Sequence, residues 1–273
     1  SMPVYNTAAY EFNTAEEMEE AFCGRTSEHV YSRLTNPTVQ YFEQRVQEIT
    51  GALSVTALNS GMAAISNAIM TLAWSGSNII TSPHIFGNTY SFFYSTLADF
   101  GVEVRFCDMT NIDKVKKNID KNTAALFLEI ITNPQLEVAD LTALSAIARE
   151  SKVPLVADTT AVPFHIFSSK DFGVDIEIVS STKYISGGAT SLGGLILDYG
   201  TADFGSSPKL RCIDTCKEAF TYKLKKEVMR NLGAYMTPQV AYMQTLGLET
   251  LEVRFEKEAS TTLELAERLS SLK

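Results

Sequence analysis

The stretch Ile176-Glu177-Ile178-Val179-Ser180-Ser181-Thr182-Lys183-Tyr184-Ile185-Ser186-Gly187-Gly188 joins a short apolar run to hydroxyls, one lysine and a glycine pair. The run Ile176 to Val179 reads as a buried strand. The residues after that strand have a chemical use. The amine of Lys183 can form a Schiff base with a carbonyl compound, and the neighbouring hydroxyls can hold an anion. The plainer alternative is a soluble surface turn, and one short motif does not decide between them.

Upstream, Val153-Pro154-Leu155-Val156-Ala157 reads as a second buried strand that ends on Asp158. A carboxylate at the carboxyl end of a strand points into the crevice where open α/β sheets bind ligands. Pyridoxal phosphate (PLP) needs such a group, because a nearby carboxylate keeps its pyridine nitrogen protonated. Alone, Asp158 followed by Thr159-Thr160 also suits a helix N-cap. Paired with Lys183 at the end of a later strand, the cofactor reading is the stronger one.

Outward from this pair, short apolar runs alternate with helical patterns. Strand candidates are Leu53 to Ala57, Asn78 to Thr81, Val102 to Phe106, Ala124 to Leu128 and Leu195 to Leu197. Helices are predicted over Gly61 to Leu72, Thr89 to Phe100, Ile112 to Ile119 and Leu141 to Ser151. The alternation predicts an α/β fold with a mainly parallel sheet and helices on both faces. Gly51, Gly101 and Gly173 stand where helix ends or turns are expected. The first fifty residues differ: an extended polar arm leads into an amphipathic helix over Thr38 to Thr50. Such an arm cannot bury itself and suits the surface of another subunit. Thr237 to Lys273 reads as helical, with Gly247 punctuating it.

Composition narrows the function. Of 273 residues 45% are hydrophobic and 20% charged, and the net charge is −9 with no basic run, which argues against nucleic acid or an anionic membrane as partner. No apolar stretch approaches the roughly 18 residues of a spanning helix, and the opening residues do not read as a signal peptide. Cys23, Cys107, Cys212 and Cys216 are scattered; the last two could share a helix face, but no histidine lies near to complete a zinc site. His29, His84 and His165 form no metal spacing, so no metal is expected. These features predict a cytoplasmic enzyme with reduced thiols. The absence of G-x-G-x-x-G after the first strand, of G-x-x-x-x-G-K-S/T and of G-x-S-x-G disfavours nicotinamide, nucleotide and serine-hydrolase chemistry.

Four further segments fit a phosphate and a flat ring. Asn59-Ser60-Gly61-Met62 follows the first strand and opens a helix, an anion site or a plain serine cap. Phe86-Gly87-Asn88-Thr89 offers an aromatic that can stack on a ring or pack in the core. Tyr31 and Arg33 in the polar arm can bind phosphate, or belong to a solvated loop. Asn133, in Glu129-Ile130-Ile131-Thr132-Asn133-Pro134, can hydrogen-bond a ring substituent or simply form a turn, since Pro134 keeps it out of helical geometry.

In this order the segments resemble the Cys/Met-metabolism PLP enzymes, the γ-family with the aspartate-aminotransferase fold (PLP-dependent transferase fold type I). The resemblance runs from Pro3-Val4-Tyr5-Asn6-Thr7 to the end of the chain. Thr190-Ser191-Leu192-Gly193-Gly194-Leu195-Ile196-Leu197-Asp198 and Leu246-Gly247-Leu248-Glu249-Thr250-Leu251 are most similar to the O-acetylhomoserine sulfhydrylases. The resemblance implies that Lys183 carries the Schiff base and later moves protons. It implies that Asp158 pairs with the pyridine nitrogen, that Ser60, Gly61, Met62, Ser180 and Thr182 hold the phosphate, that Phe86 stacks on the ring and that Asn133 contacts its hydroxyl. Tyr31 and Arg33 would reach the phosphate of a neighbouring subunit, in a homodimer or homotetramer with shared active sites. The implied domains are an arm over 1–50, a PLP-binding domain over 51–236, and a linking helix that starts a C-terminal domain over 237–273. That domain would carry an arginine for the substrate carboxylate, nothing here matches it, and truncation is the expected reason.

The resemblance also marks departures. Phe86 stands where the family has a tyrosine, so the stack is kept and the phenol lost. Asp158-Thr159-Thr160 replaces Asp-Asn-Thr, and Gly187-Gly188-Ala189-Thr190 replaces Gly-Gly-His-Gly. The expected reaction is γ-replacement on O-acetyl-L-homoserine by sulfide, giving homocysteine and acetate. The alternatives are γ-elimination, a cystathionine γ-synthase-like use of cysteine as thiol, and a non-catalytic PLP-binding subunit.

Overall fold

A computed structural model describes residues 2–204, 207–211 and 217–272. Cys212 and Cys216 lie outside the described residues. The chain forms a seven-stranded sheet in the order β1-β7-β6-β5-β4-β2-β3. The strands are β1 (Ser54–Leu58), β2 (Asn78–Thr81), β3 (Glu103–Phe106), β4 (Thr123–Glu129), β5 (Leu155–Asp158), β6 (Ile176–Val179) and β7 (Gly194–Asp198). From β3 across to β6 every pairing is parallel, while β7 runs antiparallel to both β6 and β1. The predicted α/β class and mainly parallel sheet are therefore those of the structure.

Helices cover both faces because the strands are apolar on both. Helices α1 (Ala15–Phe22) and α2 (Pro37–Thr50) precede β1, and α3 (Gly61–Leu72) connects β1 to β2. On one face α3 buries Ala64, Ile65, Ala68, Ile69 and Leu72 against Phe127, Val156, Ile176, Ile178 and Ile196. Their spacing of one, three and four is a single helical stripe. On the other face the helix Leu141–Ser151 packs on Leu126, Leu128, Leu155 and Ala157. There α2 also sets Phe42 and Val46 in one cluster with Val55, Ala57, Leu195 and Leu197.

The structure differs from the sequence reading in places with local causes. The arm is not extended throughout: α1 forms because Thr14 accepts the Glu17 N–H and Glu17 in turn accepts the Asn13 N–H, close to a capping box. The helix predicted from Thr89 starts at Gly87 and carries a π-helical segment over Phe92–Thr96. A helical stretch over 219–232, again with a π segment, fell outside the predicted elements. Gly51, Gly101 and Gly173 do take left-handed turns, with φ of 65°, 74° and 79°.

Gly247 is not a break. It lies inside the helix Pro238–Glu249, and the chain turns at Thr250 before the helix Leu251–Ser270. A Cβ on Gly247 would stand 1.9 Å from the Ile185 carbonyl oxygen. The glycine thus lets this helix lie directly on the backbone of the turn that follows Lys183. Gly247→Ala is expected to lose about 1–3 kcal/mol of stability, the usual cost of overpacking. A thermal melt checks this, and an unchanged midpoint contradicts it.

Candidate active site

Strands β4, β5 and β6 end side by side, and their last residues decide what faces the crevice. Glu129 pairs in register with Asp158, and Asp158 with Ile178. Alternate residues of a strand share a face, and register partners face alike. Phe127, Val156 and Ile178 lie in the core beneath α3. Two residues further along the same face stand Glu129, Asp158 and Ser180. Beside them α3 begins.

At that helix start Ser60 is the N-cap, its hydroxyl accepting the Ala63 N–H at 3.1 Å. The Ala64 N–H bonds the Ser60 carbonyl. No acceptor among the described residues takes the Gly61 or Met62 N–H, which leaves two donors at the positive end of the helix. Gly61 meets the turn after β6 closely: an added Cβ would stand 2.7 Å from the Ser180 Cβ and 2.8 Å from its hydroxyl oxygen. Gly194 is tighter still, with the Ser60 carbonyl oxygen 2.1 Å from where its Cβ would be. Only glycines allow β7, the β6 turn and the α3 N-terminus to converge. The result is a cradle of two free N–H groups and the Ser180 hydroxyl.

Lys183 closes the turn from this side. Its side chain is exposed and has no hydrogen bond or ion pair among the described residues. The Lys183 N–H bonds the Ser180 carbonyl, which fixes the turn. Thr182 braces it further: its hydroxyl donates to the Gly193 carbonyl at 3.1 Å and accepts the Gly193 N–H at 3.0 Å. Thr182 therefore reaches a phosphate as donor only by turning its hydroxyl away from Gly193.

Asp158 forms no ion pair among the described residues. Its carboxylate accepts the Thr160 N–H at 2.9 Å. Burial pushes its pKa up, the Thr160 bonds pull it down, and the Glu177 carboxylate adds a further push upward. A cation placed against it reverses that balance and holds it ionised. The Thr160 hydroxyl accepts the Ser180 N–H at 2.8 Å, tying the Asp158 turn to the Lys183 turn. Thr159 points to the opposite sheet face, where it donates to buried Glu177 at 2.6 Å.

The ring-binding candidates flank these carboxylates. Phe86 is 45% exposed and pairs with no other ring among the described residues. Asn133 is also exposed, with a side chain that makes no hydrogen bond among the described residues. Met62 packs partly in the core beside the Thr89 hydroxyl. Tyr31 and Arg33 do not join the group. Arg33 lies over the Tyr31 ring at 5.3 Å and donates to the Arg230 carbonyl at 2.5 Å, while Tyr31 bridges to Ala9 and its carbonyl accepts the Leu34 and Thr35 N–H groups.

The donor set suits a phosphorylated aldehyde: a free amine, an anion cradle, an open aromatic face and a buried carboxylate for a ring cation. The whole chain, residues 1–273, matches the family described as Cys/Met metabolism PLP-dependent enzyme. The chain belongs to that family. The Cys/Met-metabolism enzymes are PLP-dependent, and the cradle, Asp158 and Lys183 fit PLP. The chain is 30% identical to an O-acetyl-L-homoserine sulfhydrylase of Corynebacterium glutamicum over 99% of its own length and 66% of that protein's. It is 32% identical to a homocysteine/cysteine synthase of Saccharomyces cerevisiae, covering 98% of this chain and 64% of the relative. Among solved structures it is similar to a putative O-acetylhomoserine (thiol)-lyase of Campylobacter jejuni that contains a pyridoxyl-lysine phosphate. That likeness has a TM-score of 0.91 at 32% identity, over 99% of this chain and 71% of the other. The O-acetylhomoserine sulfhydrylase of Wolinella succinogenes is 48% identical with a TM-score of 0.75, over 81% of this chain and 66% of that one. The chain thus spans just under two thirds of the length of the curated relatives it matches.

One site group of this family member was not singled out from sequence. Glu129 is 7% exposed, and its carboxylate accepts the Phe86 N–H at 2.6 Å and the Asn133 N–H at 3.2 Å. The available signal was its position, a carboxylate closing an apolar strand just as Asp158 does on the next. Burial raises its pKa from 4.5 to about 7, with Asp158 adding to the rise and the two N–H groups opposing it. A carboxyl whose pKa rises on folding binds more protons folded than unfolded, so its contribution is full at acid pH and is lost as pH rises through that folded value. Cofactor-free Glu129→Gln is therefore expected to lose less stability than wild type between about pH 5 and about pH 8. Equal losses in denaturant melts at the two pH values contradict this.

Proposed function

We propose that the protein carries out γ-replacement on O-acetyl-L-homoserine with sulfide, releasing L-homocysteine and acetate. The observation that carries the reading is the Lys183 amine, unpaired among the described residues and held in the turn that also places Ser180 against the Gly61 cradle and ties to Asp158 through Thr160. The names of the similar proteins support the substrate class. PLP, when bound, supplies the ring that takes up the electrons released at the substrate's α-carbon. Every other task falls to side chains of the protein.

The Gly61 and Met62 N–H groups and the Ser180 hydroxyl bind the phosphate, capped by Ser60, with Thr182 holding the turn. Asp158 would accept a hydrogen bond from the protonated ring nitrogen and keep it protonated, Phe86 would stack on the ring and Asn133 would bond its oxygen substituent. Lys183 would hold the cofactor until a substrate amine took its place. Its freed Nζ would then move protons one at a time from the α- and β-carbons as acetate leaves the γ-carbon, and would return one to each of those carbons once hydrosulfide has added to the γ-carbon.

Tyr31 and Arg33 complete the phosphate site of a neighbouring subunit. Their lack of contact with Asp158 and Lys183 in their own protomer favours that assignment. The working unit is a homodimer or homotetramer in the cytoplasm, built from an arm over 1–50, a cofactor domain over 51–236 and a segment over 237–273 that leads into a C-terminal domain. A second reading rests on Phe86, whose ring offers a stacking face and no phenol for proton transfer: a non-catalytic subunit that binds PLP and turns over no γ-substituted amino acid.

With O-acetyl-L-homoserine and sulfide, wild type is expected to yield homocysteine and acetate. Lys183→Ala is expected to yield none while melting at the wild-type temperature. Oxo acid and ammonia formed equally with and without sulfide would favour elimination, and turnover persisting in Lys183→Ala would overturn the mechanism.

A further inference from the structure

We propose that Glu129 is a positioning residue for the cofactor ring, a single buried carboxylate that sets the ring-stacking Phe86 and the ring-contacting Asn133 against Asp158. The inference rests on the proposed PLP site and adds a group that the γ-replacement chemistry does not itself employ.

The geometry is specific. Phe86 follows β2 and Asn133 follows β4, so the two lie on separate loops with no direct hydrogen bond between them among the described residues. One oxygen of Glu129 takes the Phe86 N–H and the other takes the Asn133 N–H. Both bonds go to backbone, so they fix where each residue leaves its strand and leave both side chains free. Glu129 itself is the last residue of β4 and the register partner of Asp158 on the same sheet face. The stacking aromatic, the amide and the ring-nitrogen carboxylate are thus referred to one fixed group. Bonds from N–H groups to an ionised acceptor are about twice as strong as neutral ones. Glutamine supplies one acceptor oxygen where two are needed and turns an NH₂ toward the second N–H donor. It also removes a negative charge from beside Asp158.

The test titrates PLP into cofactor-free wild type and Glu129→Gln and follows the absorbance of the bound chromophore against pH. The variant is expected to bind PLP about tenfold more weakly, the equivalent of one charge-assisted hydrogen bond. The pH midpoint of its bound absorbance is expected to fall, because a lost anion disfavours nearby cationic forms. Support requires both changes; either one alone, or neither, overturns the proposal. Should the glutamine variant fail to fold, Glu129→Asp keeps the charge but is a methylene too short to span both N–H groups. Its affinity is then expected to fall with the midpoint kept, and wild-type affinity overturns the proposal. If wild type takes up no PLP, the cofactor reading fails and this inference falls with it. If wild type binds PLP and both variants match it, only the role of Glu129 is lost.

Discussion

The site depends on a close contact between backbones. Gly194 admits no side chain because the Ser60 carbonyl occupies its Cβ position, and Gly61 admits none because of Ser180. Together they draw the N-terminus of α3, the end of β6 and the start of β7 into one place. The contact has two effects. It puts two helix N–H groups that have no acceptor among the described residues next to a serine hydroxyl, a set of donors suited to an anion. It also holds the turn bearing Lys183, which Gly247 of a later helix presses from the other side. A lysine on a free loop would sample many positions; here its backbone is fixed by Ser180, Thr182 and that helix.

Charge is the second constraint. Strands β4 and β5 end in neighbouring carboxyls on one face, and burial raises the pKa of both. Without a cation such a pair is costly to the fold, as stored electrostatic strain at functional sites often is. A ring cation held against Asp158 would relieve it, and would link cofactor affinity to pH through these two carboxyls.

Much of this was legible in the sequence. Apolar runs of strand length alternating with helical periodicity gave the sheet and most helix bounds, with Gly61 to Leu72 and Leu141 to Ser151 matching residue for residue. Asp158 and Lys183 were visible because each closes an apolar strand with chemistry that packing does not need. The antiparallel placement of β7 was not legible, since a strand's direction depends on how far its connection travels. Nor was the role of Gly247, because a glycine demanded by another segment's carbonyl looks locally like a break. Glu129 escaped for a related reason: its partners, the Phe86 and Asn133 N–H groups, are backbone atoms that carry no sequence signal. The arm is the reverse case: the chemistry of Tyr31 and Arg33 is plain in the sequence, while their contacts with Ala9 and the Arg230 carbonyl carry no sequence signal.

The central claim is that one lysine, in one glycine-shaped turn, holds the cofactor. Incubating the protein with PLP, reducing with borohydride and mapping the labelled peptide tests it most directly. The account predicts a pyridoxyl adduct on Lys183 and on no other lysine. An adduct elsewhere, or folded protein with Lys183 unmodified, would contradict it.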